Sequence, residues 1–144
     1  MDSTVTWKGE MAFDAEVEGF GFVIDAAPEH GGKDLGPTPK PLALTSLAGC
    51  TAMDVISILG KMRVQPRTFS VEARSELTEE HPKVFSGVTV AYRFEGDDLP
   101  LSRLVRAIEL SQDRYCGVSA MLRQATSIDW ELHVNGEVID PSAV

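Results

Sequence analysis

The stretch LALTSLAGCTAMDVISILGKM, residues 42–62, decides how the rest of the chain is read. It contains no proline, and its apolar residues, from Leu42, Leu44 and Leu47 through Cys50 and Met53 to Val55, Ile56, Ile58, Leu59 and Met62, occupy most of a helical circumference. A helix that is apolar nearly all round belongs in an interior. At about 1.5 Å of rise per residue it crosses much of a small domain, which makes it the central rod around which sheets wrap. Lys61 and Arg63 supply a cationic C-terminal end, and Pro66 stops the helix.

Working outward, the first 25 residues alternate between apolar and polar and are cut at Gly9-Glu10 and Glu18-Gly19. They predict a meander of three short strands near Val5–Trp7, Met11–Val17 and Phe20–Asp25. Residues 26–41, punctuated by Pro28, Gly31, Gly32, Gly36, Pro37, Pro39 and Pro41, predict a loop long enough to carry function. Beyond the helix, Thr68–Leu77 and Val84–Glu95 read as a hairpin around Glu79–Pro82. Pro100 then opens an amphipathic helix to about Asp113, and a short second helix follows from Gly117 to Gln124. Ser127–Val134, Asn135-Gly136 and Glu137–Ile139 form a terminal hairpin. The expected fold is α+β: antiparallel sheets wrapped around a long, central, buried helix, in one domain of residues 1–144.

Composition narrows the partners. Thirteen Lys and Arg stand against 22 Asp and Glu, and a formal charge of −9 repels a phosphate backbone, so no nucleic acid is expected. No run of about 18 uncharged apolar residues is apparent, and no membrane partner is expected. The segment Met1-Asp2-Ser3-Thr4 lacks the basic start and apolar run of a secretory signal, which predicts a cytoplasmic address.

In a reducing compartment a structural disulfide is unexpected, so the two cysteines are either inert or redox-active. Cys50 sits among Ala48, Gly49, Thr51 and Ala52, small residues that leave room around its sulfur. Gly49 costs the helix about 1 kcal/mol relative to alanine, which calls for close approach by a ligand, a backbone or a neighbouring helix. Cys116 stands at the start of the short helix, where free N–H groups favour a thiolate. Arg114 either adds a positive charge there or faces solvent. The two thiols are 66 positions apart, without Cys-x-x-Cys spacing, and His30, His81 and His133 are scattered, so no metal site is indicated. Asp54, four residues after Cys50 and on roughly its face, could serve as a base in an acyl hydrolase or pair with Lys61.

Pro39 to Asp54, PKPLALTSLAGCTAMD, resembles the first cysteine helix of the OsmC/Ohr family, and Arg106 to Leu122, RAIELSQDRYCGVSAML, resembles the second. His81–Phe85, HPKVF, fits between them, so the resemblance runs from about Pro37 onward. It implies an intertwined homodimer with sites at the subunit interface, and a thiol peroxidase reducing organic hydroperoxides to alcohols. Cys50 would be the peroxidatic residue and Cys116 its partner in a disulfide that an external dithiol reduces, with neither metal nor organic cofactor. The family's reductases use an arginine from the N-terminal region and a carboxylate ten residues before the first cysteine. Here no Arg precedes Arg63 and the position ten before Cys50 is Lys40, which leaves Lys8, Lys33 or Lys40 to supply the charge. A second expectation is a stress protein that holds a small hydrophobic molecule in the dimer cleft.

Overall fold

Alternation at the start of the chain becomes an antiparallel meander in the computed structural model, which describes residues 1–144: β1 (Ser3–Gly9), β2 (Ala12–Val17) and β3 (Phe20–Ile24), in that order. The β2–β3 turn places Glu18 and Gly19 at φ 51° and 83°, a conformation that Gly accepts without strain and that matches the twist of a hairpin. With the loop that follows, these strands form one compact unit, residues 1–44; residues 45–144 form a second.

The loop is held from within its own unit. Asp25, only 3% exposed, accepts hydrogen bonds from the backbone N–H of Ala26 (2.8 Å), Lys33 (2.9 Å) and Leu35 (3.2 Å). The Lys33 bond leads the causes that hold this carboxyl below the usual aspartate range, against the opposing effect of burial. A Cβ on Gly32 would overlap the Ala26 carbonyl, and one on Gly36 the Val23 carbonyl, so both glycines permit a close backbone approach. The loop is shorter than expected at its far end. Helix α1 (Pro39–Lys61) already includes Pro39 and Pro41, because the first-turn positions of a helix have no intrahelical use for an N–H.

Within the second unit α1 contributes one buried stripe, Leu47, Thr51, Val55 and Leu59, each 0% exposed and spaced four apart. The rest of its apolar surface is open within a single chain: Met53 is 73% exposed and Ile56 44%. Within one chain, the burial of the long helix is therefore one-sided. By length and composition α1 also reaches what a bilayer span requires, where the sequence reading saw no such stretch. Thr51 and Asp54 nevertheless engage polar groups of the second unit along it.

The second sheet has the order β4 (Thr68–Leu77), β5 (Phe85–Glu95), β6 (Ile128–Val134), β7 (Glu137–Ile139). β5 is its buried centre, with Val88, Val90, Ala91, Tyr92 and Phe94 at 0–1% exposure. It pairs antiparallel with β4 but parallel with β6, a departure from the all-antiparallel expectation. Parallel neighbours need a long crossover. Helix α2 (Leu101–Leu110), a π-helical turn (Ser111–Tyr115) and α3 (Gly117–Leu122) provide it. α2 buries Leu104, Val105, Ala107 and Ile108, the face its periodicity predicts.

Replacing Asp25 by Asn should speed amide hydrogen exchange at Lys33 and Leu35 while leaving β5 unchanged; equal protection in both proteins would refute the clamp. Because the folded carboxyl sits below its ordinary value, its contribution is present above the unfolded pKa of about 3.9 and is lost as pH falls through the lower folded value.

Candidate functional site

Cys50 lies near the middle of α1, half-buried, and Cys116 is 3% exposed at the N-cap of α3. Their sulfurs and a carboxylate oxygen of Asp54 lie within 4.8 Å of one another. Both cysteines are free thiols.

Local structure explains the convergence. Cys50 and Asp54 are one turn apart on α1 and so share a face. The π-helical turn widens the end of α2 by one residue per turn, closed by the Cys116 N–H donating to the Ser111 carbonyl at 2.8 Å. That widening turns Ser111 and Gln112 into the interior and leaves Asp113, Arg114 and Tyr115 outside. Cys116 then takes an extended conformation, φ −71° and ψ 101°, and its Sγ accepts the Ser119 N–H at 3.4 Å.

Beneath the thiols runs a buried polar chain whose direction follows from counting protons. Ser111 Oγ donates to Asp54 Oδ2 at 3.1 Å, so its one proton is used there. The 2.8 Å contact between Thr51 and Ser111 must then have Thr51 as donor, and the 2.6 Å contact between Tyr92 and Thr51 must have Tyr92 as donor. The Tyr92 oxygen accepts from Gln112 Nε2 at 2.6 Å, and Gln112 Oε1 accepts from Arg123 Nη2 at 2.9 Å and Ser119 Oγ at 3.2 Å. Every dipole points the same way, from the Arg123 guanidinium through Gln112, Tyr92, Thr51 and Ser111 to the Asp54 carboxylate. Burial pushes the Tyr92 phenol up, against the pull of its bonds to Thr51 and Gln112, so it keeps its proton and remains a donor. No buried side-chain polar atom lacks a partner.

The same surroundings push the Cys50 thiol up. Burial is the largest cause, and the nearby Cys116 and Asp54 add to it, while a hydrogen bond from the Val118 backbone works in the other direction. Three of the candidate cations are engaged elsewhere. Lys8 pairs with Asp14 at 2.9 Å, Lys33 with Glu10 at 2.7 Å, and Arg114 lies over its neighbour Tyr115 at 5.6 Å from the ring centre. Lys40 is exposed in the first turn of α1.

The structure thus brings together the two cysteines and Asp54, all singled out in the sequence; Asp54 accepts from Ser111 and forms no ion pair with Lys61. Sequence reading missed Tyr92, Ser111, Gln112, Ser119 and Arg123. The available signal was Thr51, a hydroxyl set in an otherwise apolar stripe at four-residue spacing. His81 and His133, in the same unit, are not members of the cluster. Cys50, Asp54 and Cys116 are the side chains with the donor types and proximity to hold a metal ion.

Two sheets, a long helix and a thiol pair carried on α1 and the cap of α3 define an α+β protein of the OsmC/Ohr fold. Residues 31–131 match the family described as OsmC-like protein, and the chain belongs to that family. Protein YhfA of Escherichia coli K12 is 35% identical over 118 residues, covering 78% of this chain and 88% of that one. A hypothetical protein from Aquifex aeolicus superposes with a TM-score of 0.82 at 24% identity, covering 94% of this chain and 96% of that one. A Legionella pneumophila organic hydroperoxide resistance protein OsmC has the same fold at 16% identity, with a TM-score of 0.67 and coverage of 92% and 96%.

The directed chain makes Thr51 a structural keystone. Thr51→Val, which keeps the shape and strands the Tyr92 hydroxyl, should cost about 1–3 kcal/mol in urea unfolding, with Thr51→Ser much closer to wild type. Equal stability of the Val and Ser variants would show that the bonds carry no net weight.

Proposed function

We propose that this chain is a thiol-dependent peroxidase that reduces organic hydroperoxides to alcohols, with Cys50 as the attacking residue and Cys116 as the resolving one. The observation that carries this reading is the meeting of two thiols, 66 positions apart in sequence, within 4.8 Å of one another. The half-exposed thiol is suited to meet substrate and the buried one to resolve it.

The Cys50 thiolate attacks the distal oxygen of ROOH, the O–O bond breaks, and the alkoxide takes a proton to leave as ROH. Cys50 is then a sulfenic acid. The Cys116 sulfur displaces its hydroxyl as water, closing a disulfide of about 2.05 Å. An external dithiol reduces that disulfide by exchange, leaving two thiols and its own disulfide. Such a reductant and a lasting thiol pair both fit the cytoplasm. The name borne by the Legionella neighbour, organic hydroperoxide resistance protein, supports the substrate class.

The working form is a homodimer. Support comes from the apolar face of α1 around Met53 and Ile56, which one chain leaves uncovered, and from Gly49, where an added Cβ would meet nothing within 4 Å of its own chain. A helix that gives up about 1 kcal/mol for such a glycine gains from it where a second chain packs closely.

A second reading has its own support. The Cys50 thiol is pushed up, and an apolar pocket of about 310 Å³ within residues 1–44, lined by Val5, Met11, Phe13 and Ile24, suits a small hydrophobic molecule. Under that reading the chain is a binding protein with little peroxidase activity.

Thiol titration separates the two. One equivalent of tert-butyl hydroperoxide should consume both thiols of the wild type, recoverably by a dithiol. Cys50→Ser should lose all turnover, and Cys116→Ser should stop at a sulfenic acid that dimedone traps. Survival of both wild-type thiols would sink the peroxidase, and saturable binding of an apolar fluorophore would then favour the second reading. Sedimentation should give twice the chain mass of 15.6 kDa, and Gly49→Leu should shift it toward the monomer; a monomeric wild type refutes the dimer.

A further inference from the structure

The cluster at the thiol pair has a feature that peroxide chemistry does not use. Cys50 Sγ, Cys116 Sγ and an Asp54 oxygen lie within 4.8 Å of one another, and we infer that the reduced cluster binds one divalent metal ion of the zinc type. A tetrahedral ion with metal–sulfur bonds of about 2.3 Å and a metal–oxygen bond of about 2.0–2.2 Å sets its ligand atoms roughly 3.5–3.8 Å apart. Closing from 4.8 Å takes about an ångström, within the reach of side-chain torsions.

Ligand chemistry selects the metal. Two sulfurs and one carboxylate suit zinc, cadmium or cobalt, whereas calcium and magnesium need oxygen-rich sites that these residues do not form. Three protein ligands leave one tetrahedral position for water or an added anion. A cavity of about 350 Å³ reaches the carboxylate, lined also by Ser57, Ile58, Lys61, Leu110 and Tyr115.

Partners behind the ligands fix their directions. Ser111 holds Asp54 Oδ2 at 3.1 Å, and the Ser119 N–H is bonded to Cys116 Sγ at 3.4 Å. Outer hydrogen bonds of this kind orient metal ligands. Charge points the same way. Ionised, the cluster would hold three negative charges, yet Asp54 is in no ion pair and Arg123 is bound to Gln112 and, at 3.6 Å, Asp113. A divalent ion supplies the positive charge that no ion pair of Asp54 provides.

Binding is written M²⁺ + 2 RSH + RCOO⁻ → M(SR)₂(OOCR)⁻ + 2 H⁺. It occupies both sulfurs, so a metal-loaded pair cannot form a disulfide. This site does not depend on the peroxidase reading: zinc affinity is measured without any peroxide.

The test is titration of the reduced, chelator-stripped protein with Zn²⁺ against a chromophoric chelator, with Co²⁺ as spectroscopic probe. Expected are one ion per chain, two protons released per ion, protection of both thiols from a disulfide reagent, and a Co²⁺ spectrum with thiolate charge transfer and intense tetrahedral bands. Cys50→Ser and Cys116→Ser should each abolish tight binding. Asp54→Asn, which leaves both thiols in place, should weaken it by at least about 10-fold, the scale of disturbing a metal site's supporting groups. Circular dichroism of each variant establishes that it is folded, and Cys50→Ala and Cys116→Ala replace any serine variant that is not. Failure of the wild type to compete with the chelator overturns the inference. So does affinity unchanged in the cysteine variants, which would place the ion on surface carboxylates or histidines, or an octahedral Co²⁺ spectrum without charge transfer. A protein that binds zinc but ignores hydroperoxide keeps this site and loses the peroxidase, and the opposite result does the reverse.

Discussion

The hydroxyl of Thr51 is the point on which the second unit depends. It sits at 0% exposure within an otherwise apolar helical stripe, accepts from Tyr92 at the centre of the sheet, and donates to Ser111 at the start of the π-helical turn. Burying a hydroxyl without partners costs several times what a satisfied one contributes. Three elements far apart in sequence therefore have to meet in one arrangement. Apolar side chains along the same stripe tolerate sliding and rotation; a one-proton donor with two fixed partners does not. The register between α1 and β5, and with it the position of Cys50 relative to Cys116, is set by this polar contact more than by the surrounding leucines and valines.

This division explains what could be read in the sequence. Periodicity is a property of contiguous residues, so the meander, α1, the two hairpins and α2 were all visible, as were both cysteines with their family setting. The one-sided burial of α1 was not, because an apolar circumference does not tell which part of it the chain itself covers, and Met53 and Ile56 are not covered within one chain. Nor was the parallel pairing of β5 with β6: strand alternation says which face is buried and nothing about the direction of a neighbour joined through α2 and α3. The polar chain was beyond reach for a third reason. Tyr92, Gln112 and Arg123 are unremarkable in their own segments and acquire a role only from long-range geometry.

The chain's departures from its family's pattern concern charge. The hydroperoxide reductases that it resembles pair an arginine with a carboxylate near the reactive thiol, whereas here Lys8 and Lys33 are bound to carboxylates of their own unit and the residue facing the thiols is Asp54. An acid beside Cys50 opposes its ionisation. It raises the Cys50 pKa, already raised by burial, and leaves only the Val118 backbone bond to offset it.

The Arg123 end of the polar chain bears on what Asp54 can do. Its dipoles all point toward Asp54, so the chain directs positive potential at the carboxylate, and Ser111, bound to Oδ2, orients it. An ionised carboxylate beside two thiols attracts a proton or a metal ion. Under the proposed peroxide chemistry the first role is that of a base for the Cys50 thiol, within 4.8 Å of it, that returns the proton to the departing alkoxide. In the second it completes a three-ligand set. Both follow from one constraint, a carboxylate held at the thiol pair, and they exclude each other in time because they use the same sulfurs.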